Sequence, residues 1–266
     1  MNLALFRQTD SSDIPLRGTD VGNLLEAVHR RYNVRSNDQG TSRYIVGQLI
    51  KFGEAIGAID PRTYAIQYAR FRALKVLDLA CGCEGYMKEA ERNGRNTGGA
   101  SANFFGPWLC RTLSMLEANV TGVDREFPRS IVKTEKKGRN PKRVGMPESE
   151  WIFVQRDLTQ LDAIDQEHFP DNSFDAVSCT RFIGNKSGPV EVHGTILDPV
   201  SILGSAAPLA DTWEMRELWE EDNEAYCRTL KGIREAAQRI LREGGVFMLN
   251  TDVEIKTNGA LKTRMP

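Results

Sequence analysis

Apolar residues recur at helical spacing over the first third of the chain. From Val21 to Tyr32 they return every three or four positions, as in an amphipathic helix. The same spacing predicts a helix from Ser42 to Ile56 and a third from Pro61 to Leu74. Asp60 is a suitable cap for the third helix, and Pro61 suits a first helical turn. We therefore expect a helical N-terminal region.

The periodicity changes at Lys75, where short apolar runs bounded by turn residues predict buried strands. Helical segments separate several of these runs, including Trp108 to Leu116 and a long helix from about Thr212 to Arg242. Gly244 follows the long helix as a predicted C-cap. Strands that alternate with helices favour a parallel sheet covered on both faces. The predicted strands are Val76–Ala80, Asn119–Asp124, Trp151–Gln155, Phe174–Cys179 and Gly245–Asn250.

Charge and cysteine content narrow the class of protein. The 35 basic residues balance 36 acidic ones, whereas a dedicated nucleic-acid binder usually has a basic surplus. Five cysteines without a disulfide-framework spacing indicate a reducing compartment. Cys81 and Cys83 form a C-x-C pair, but no second pair completes a zinc site, so no metal is expected. No apolar run reaches the roughly 18 residues of a membrane span, and we expect a cytoplasmic protein with no membrane partner.

Residues that could bind a ligand lie at the ends of the predicted strands in a fixed order. Asp78 and Gly82 lie at the end of the first strand, where glycine lets a ligand approach backbone N–H groups. Asp124 ends the second strand, where a carboxylate can accept both hydroxyls of a ribose. The third strand is followed by Arg156, Asp157 and Leu158.

These segments resemble the motifs of the class I S-adenosylmethionine-dependent methyltransferase family. VLDLACG, TGVD and QRDLTQL are similar to its first three motifs, and DNSFDAVSC and LREGGVFML to its fourth and fifth strands with their approaches. The resemblance covers roughly residues 75–252. It implies an open, mainly parallel, doubly wound (Rossmann-like) α/β sheet of at least five strands in the order 3-2-1-4-5. It also implies S-adenosyl-L-methionine as cofactor and S-adenosyl-L-homocysteine as product.

The resemblance also implies a role for individual residues. Asp78 would orient the amino group of the methionine moiety, directly or through water, above a turn lined by Ala80 and Gly82. Asp124, followed by Arg125, would hold the ribose hydroxyls. Asp157 and Leu158 would bind adenine, through a carboxylate and a backbone N–H. Thr180 would lie near the sulfonium. Each of the three aspartates also has a simpler interpretation. Asp78 could cap the following turn, Asp124 could be a surface acid at a strand end, and Asp157 could be a helix N-cap.

The spacing departs from the usual pattern. Asp78 and Asp124 are more than twice as far apart as the roughly 20 residues of a typical nucleotide-binding unit. We favour a glycine turn that is interrupted at residues 83–105 and resumes at Phe105-Gly106-Pro107, over one that continues directly to Gly85. The insertion is either a lid or part of an acceptor pocket, or a surface excursion without a role.

A second long loop, residues 183–211, follows the fourth predicted strand, and we interpret it as a substrate-binding loop. Arg181 and Asn185 are candidates for orienting an anionic or polar acceptor. His193 is the candidate general base among three histidines, although a single loop histidine is more often incidental. The expected division is therefore a helical extension over residues 1–74 and a core over residues 75–266 with these two insertions.

The fifth predicted strand, Val246–Leu249, would lie at an edge of a five-stranded sheet, because few residues follow it. Bare edges are usually paired or covered. The N-terminal helices, the last residues or a second subunit are candidates, and the last of these would make a homo-oligomer.

The expected function is methyl transfer to an O, N or C nucleophile of a small molecule. The N/D-P-P-Y/F tetrapeptide associated with methylation of planar nitrogens is absent after the fourth strand, as is the Pro-Cys pair of cytosine C5 methyltransferases, which disfavours DNA. RNA or protein acceptors stay open. Two further alternatives are an NAD-dependent oxidoreductase, which shares the ribose-binding acid, and a non-catalytic cofactor-binding scaffold.

Overall fold

The computed structural model describes about half of the chain. The described residues are 16–32, 34, 39–82, 106–125, 151–158, 160, 163–179, 190–192, 195–197, 228–249 and 252–263. The described helices are α1 (Asp20–Arg31), α2 (Gln39–Ala55), α3 (Tyr68–Arg72), α4 (Trp108–Met115) and α5 (228–240). The strands are β1 (Lys75–Leu79), β2 (Asn119–Asp124), β3 (Ile152–Gln155), β4 (Phe174–Cys179), β5 (Val190–Val192), β6 (Thr195–Leu197), β7 (Leu241–Leu249), β8 (Asp252–Thr257) and β9 (Ala260–Thr263).

Seven of the strands form one sheet in the order β3-β2-β1-β4-β7-β8-β9. The first five are parallel to one another, and β8 and β9 are each antiparallel to their neighbour. The strand order reverses direction at β1, since β2 and β3 lie on one side of it and β4 and β7 on the other. In such sheets ligands bind beyond the carboxyl ends of the strands at this point. The five parallel strands thus have the predicted order 3-2-1-4-5, and β8 and β9 are two additional strands.

Alternate residues of β1 contribute to two apolar clusters, one on each face of the sheet. Val76 packs in the first cluster with residues of α1, α2 and α4. Leu77 and Leu79 pack in the second cluster, which includes Ile233 and Ile240 of α5. Helices thus cover both faces, as expected for a doubly wound sheet. None of the described helices is long and apolar enough to cross a membrane.

The N-terminal helices agree with the sequence pattern in two cases and not in the third. α1 begins after Thr19, whose hydroxyl accepts a hydrogen bond from the Gly22 N–H at 3.1 Å. The predicted helix from Pro61 to Leu74 is wrong, because only Tyr68–Arg72 is helical. The Asp60 carboxylate does accept from backbone N–H groups, those of Arg62 and Thr63, but it caps an isolated turn. The chain then forms a bridge between Ile59 and Ile66, which prevents a helix there.

The end of the described chain corrects two further predictions. α5 ends at residue 240 and β7 begins at once with Leu241, which pairs with Phe174 before an irregularity in the ladder. Gly244, with φ of 76°, therefore lies within this irregular part of β7 and is not the helix C-cap. The strand is also not an edge strand, because β8 pairs along Val246–Leu249 and β9 pairs with β8. Of the three candidates for pairing or covering the edge of this strand, the last residues of the described chain are the ones that do so.

Part of the predicted substrate-binding loop 183–211 has regular structure. β5 and β6 form an antiparallel pair in which Val190 lies opposite Leu197 and Val192 opposite Thr195. The insertion 83–105 lies outside the described residues. α4 begins at Trp108 with Pro107 as its N-cap residue, one position before the helix proper.

Candidate functional site

The turn after β1 has a backbone conformation that side chains disfavour. Ala80 has φ of 55° and Gly82 has φ of 101°. Glycine adopts positive φ readily, whereas a left-handed conformation costs an alanine roughly 1–2 kcal/mol. The Cys81 N–H donates to the Val123 carbonyl oxygen at 3.1 Å, which fastens the turn to the end of β2. The sequence predicted a tight turn at this place, and the strain at Ala80 is an addition to that prediction.

Asp124 lies at the carboxyl end of β2, directly beside this turn. Its Oδ2 accepts a hydrogen bond from the Gly82 N–H at 2.8 Å, and its Oδ1 accepts one from the Arg125 N–H at 2.7 Å. The side chain is 5% exposed. Each carboxylate oxygen thus accepts from a backbone N–H, and these two hydrogen bonds fix the orientation of the carboxylate.

Asp78 is buried within β1, where it lies opposite Gly122 of β2 and Ser178 of β4. Its Oδ2 accepts a hydrogen bond from the Cys110 thiol of α4 at 3.4 Å. Burial raises the pKa of Asp78 to about 7, the Cys110 thiol and the Ser178 hydroxyl oppose this rise, and the charge of Asp124 adds to it. No cation is among these groups, so the carboxyl group is held with little compensation for its charge.

Ser178 is the second buried polar group at this point of the sheet. Its Oγ lies close enough to Asp78 to oppose the rise in the pKa of that carboxyl group, but it makes no hydrogen bond of good geometry within the described part of the chain. A buried hydroxyl with poor hydrogen bonding costs free energy, and a ligand donor or acceptor can remove that cost. The reversal point of the strand order therefore combines a buried carboxyl group and a poorly satisfied hydroxyl.

The other residues predicted to bind the cofactor lie near the ends of β2 and β3, Arg125 on the ribose side and Asp157 and Leu158 on the adenine side. The Arg125 side chain is exposed, and its carbonyl oxygen accepts from the Gln155 side-chain amide at 2.9 Å. Asp157 is half-buried, and its carbonyl oxygen accepts from the Gln160 N–H in a turn. Leu158 is buried in the second cluster. The roles of these residues toward the cofactor stay predictions.

Four predicted residues cannot be placed. Thr180, Arg181, Asn185 and His193 lie outside the described residues, so the acceptor side of the site and its candidate base stay predictions. Within the described part, no group of three or more histidine, cysteine or acidic residues could hold a metal ion.

Sequence reasoning missed two members of the site, Cys110 and Ser178. Ser178 carried a usable signal, since it is a polar residue in the otherwise apolar run FDAVSC of a strand buried on both faces. Cys110 carried none, because its contact with Asp78 joins residues 32 positions apart in two different elements.

Comparison with known proteins gives little further information. No protein-family model matches the chain, and neither does a curated protein. Two solved structures that match are crystal forms 1 and 2 of the MycE methyltransferase from the mycinamycin biosynthetic pathway, in complex with Mg and SAH. Form 1 is 13% identical with a TM-score of 0.34, and the match covers 80% of this chain and 36% of that one. Form 2 is 12% identical with a TM-score of 0.33, covering 91% and 44%.

The chain thus spans less than half the length of the solved protein that it matches. At these scores the similarity identifies neither a family nor an activity for this chain. The class of the protein rests on its own topology, which is an open α/β sheet, mainly parallel, with the candidate site at the reversal of its strand order.

Proposed function

We propose that the protein is an S-adenosylmethionine-dependent methyltransferase. The observation that carries the proposal is the placement of Asp124, a buried carboxylate bonded to the Gly82 N–H beside the reversal point of the sheet. A carboxylate at the end of the second strand is the usual acceptor for ribose hydroxyls in sheets of this type.

The remaining groups fit a ligand that has a nucleoside and a cationic amino acid moiety. Among the described residues, Asp78 is a buried carboxyl group with no cation beside it, and the adjoining Ser178 hydroxyl makes no hydrogen bond of good geometry. An ammonium group would compensate the charge of Asp78 and supply hydrogen-bond donors. The fit therefore rests on these two polar groups and on the glycine turn beside them.

The cofactor supplies an electrophilic methyl group on sulfur. The chain would contribute binding and orientation, with Asp124 accepting from the ribose and Asp78 holding the amino group. The Asp157 carboxylate and the Leu158 N–H would bind adenine. Holding the reactants in line in a site without bulk water accounts for much of the acceleration in such displacements. A base is needed only if the acceptor must lose a proton, and His193 stays the candidate for that step.

The acceptor that we propose is a small molecule, since the chain has no basic surplus for nucleic acid. RNA and protein acceptors, and a non-catalytic scaffold, are distinguished by transfer of labelled methyl groups to panels of each class. Transfer to RNA or protein alone would overturn the small-molecule proposal. Cofactor binding without any transfer would favour the scaffold.

Calorimetric titration with S-adenosylmethionine, S-adenosylhomocysteine and NAD tests the cofactor. We expect saturable binding of the first two, and a loss of at least about 10-fold in affinity in Asp124→Asn, because a hydrogen bond to a charged group contributes roughly 1.5–3 kcal/mol. Asp175→Asn is the matched control. Asp175 is also a buried aspartate of the sheet, but it lies at the amino end of β4, away from the candidate site. Binding of NAD alone, or no binding by folded protein, would overturn the proposal.

A further inference from the structure

Two cysteines from different elements converge beside the candidate site. Cys81 follows β1 and Cys110 lies on α4, and both are buried and not in a disulfide. They meet at Gly122 of β2, where a Cβ atom would be 2.8 Å from the Cys110 Sγ and 3.0 Å from the Cys81 Sγ. The two sulfurs therefore border the same space, which only the missing side chain of Gly122 leaves open.

The two thiols also interact directly. Contact with the Cys81 thiol contributes, after burial, to raising the pKa of Cys110. Trp151, the residue before β3, borders the same space, since its Cζ3 would be 2.7 Å from the same Cβ position. The two sulfurs and this ring therefore surround one position above Gly122, which places the thiols close to each other.

We propose that Cys81 and Cys110 are an oxidative modification site, and that hydrogen peroxide converts them into a reversible disulfide. Cys81 reacts first, because it is 5% exposed at the turn whereas Cys110 is fully buried. Its sulfur takes one oxygen from the peroxide as the O–O bond breaks, which gives a sulfenic acid and one water. The Cys110 sulfur then attacks the Cys81 sulfur, the S–O bond breaks, and the S–S bond forms.

Asp78 provides a path for the proton in the second step. The Cys110 thiol already donates to the Asp78 Oδ2 at 3.4 Å, so the carboxylate can accept the proton as the sulfur attacks. The proton ends on the departing hydroxide as a second water. In total, two thiols and one peroxide give one disulfide and two waters, and a dithiol reductant reverses the change.

The disulfide would alter the candidate site in two ways. Cys110 could no longer donate to Asp78, which leaves that carboxyl group with one hydrogen bond fewer. The turn between β1 and Gly82 would also be tied to α4 through a covalent bond. This consequence rests on the proposed function, and we expect weaker binding of S-adenosylmethionine to the oxidised protein. Disulfide formation itself does not depend on that function.

Peptide mapping of the full chain tests the modification site. The protein is treated with graded hydrogen peroxide at neutral pH, alkylated with N-ethylmaleimide, digested and analysed by mass spectrometry. We expect a cross-linked pair of the peptides that contain Cys81 and Cys110, which dithiothreitol releases. Cys179→Ser is the matched control, because Cys179 is equally buried at the end of β4 and should leave the cross-link intact. Cys81→Ser and Cys110→Ser should each abolish it.

Other products would overturn the proposal. These are a disulfide between Cys81 and Cys83, a disulfide of either residue with Cys227, or direct oxidation to sulfonic acid without a cross-link. Calorimetry on reduced and oxidised protein tests the consequence for the cofactor. A cross-link that leaves cofactor affinity unchanged would overturn the effect on binding and support the modification site. A cross-link in a protein that binds no cofactor in either state would overturn the proposed function and support the modification site.

Discussion

The two ends of β4 are close to two buried aspartates whose surroundings differ. At the amino end, the Asp175 carboxylate accepts from the Lys75 N–H at 2.7 Å and forms an ion pair with the Arg242 guanidinium. Toward the carboxyl end, Asp78 of the adjacent strand accepts a hydrogen bond from the Cys110 thiol and lies near the Ser178 hydroxyl. Both carboxyl groups are nearly inaccessible, but only the first has a cation beside it among the described residues.

The difference separates a structural acid from a candidate functional one. A buried charge is ordinarily paired, because removing it from water costs several kcal/mol. Asp175 follows this rule and joins the starts of β1, β4 and β7. Asp78 departs from it, and its burial raises its pKa to about 7. Perturbed titration behaviour of this kind is concentrated at functional sites, which is why the exception is more informative than the rule.

The largest expected effect is the pH dependence caused by Asp78. In the unfolded chain an aspartate ionises near pH 3.9, whereas the folded protein keeps the proton up to about pH 7. The folded state therefore binds more protons between these values, and the free energy of unfolding falls as the pH rises from about 4 to about 7. The total loss is about 4 kcal/mol and stays constant at higher pH.

Asp78→Asn should remove this slope. We expect the wild-type protein to lose roughly 2–3 kcal/mol relative to the variant between about pH 5 and about pH 8. Urea unfolding followed by circular dichroism at both pH values measures the difference. Parallel behaviour of the two proteins would mean that Asp78 ionises normally and that the contrast with Asp175 is wrong.

A smaller effect is expected at the amino end of the sheet. Arg242→Gln leaves the buried Asp175 without its cation, although the Lys75 N–H still donates to it. Because the Arg242 side chain is 61% exposed, we expect a loss of only about 1 kcal/mol in the free energy of unfolding. Cofactor affinity should not change, which calorimetry checks. A large loss of affinity would show that the two ends are coupled.

The smallest effect is expected at Ala80, where two contributions oppose each other. Ala80→Gly relieves a left-handed conformation worth roughly 1–2 kcal/mol but adds about 0.5–1 kcal/mol of backbone entropy to be lost on folding. The net change should therefore lie between about 0 and about 1.5 kcal/mol in favour of the variant. Ala236→Gly within α5 is the control and should destabilise the protein by about 1 kcal/mol. Equal losses at both positions would contradict the strain at Ala80.

The sequence was sufficient for the parts of the fold that depend on local pattern. β2 and β4 have the predicted bounds, because each is a short apolar run between turn residues. The helix from Pro61 failed for the opposite reason. Its start signals were real, but the pairing of Ile59 with Ile66 prevailed over local preference.

The site could be predicted only where it follows from strand ends. Asp78, Gly82 and Asp124 are all placed by the rule that carboxyl ends of parallel strands meet at one edge. The convergence of Cys81, Cys110 and Trp151 on Gly122 could not be predicted, since it depends on how α4 and β3 pack against β2. Packing of this kind leaves no periodic pattern in the sequence, so it becomes visible only in the structure.

The pairing of β1 with β4 has a consequence for the nascent protein. The hydrogen bond from the Lys75 N–H to the Asp175 carboxylate joins residues that are 100 positions apart in the chain. At typical translation rates of 5–20 residues per second, β1 waits roughly 5–20 s for this neighbour to be synthesised. By contrast, β7, β8 and β9 follow one another directly and pair soon after they emerge. Among the described strands of the sheet, the one that bears Asp78 therefore keeps one edge unpaired for the longest time during synthesis.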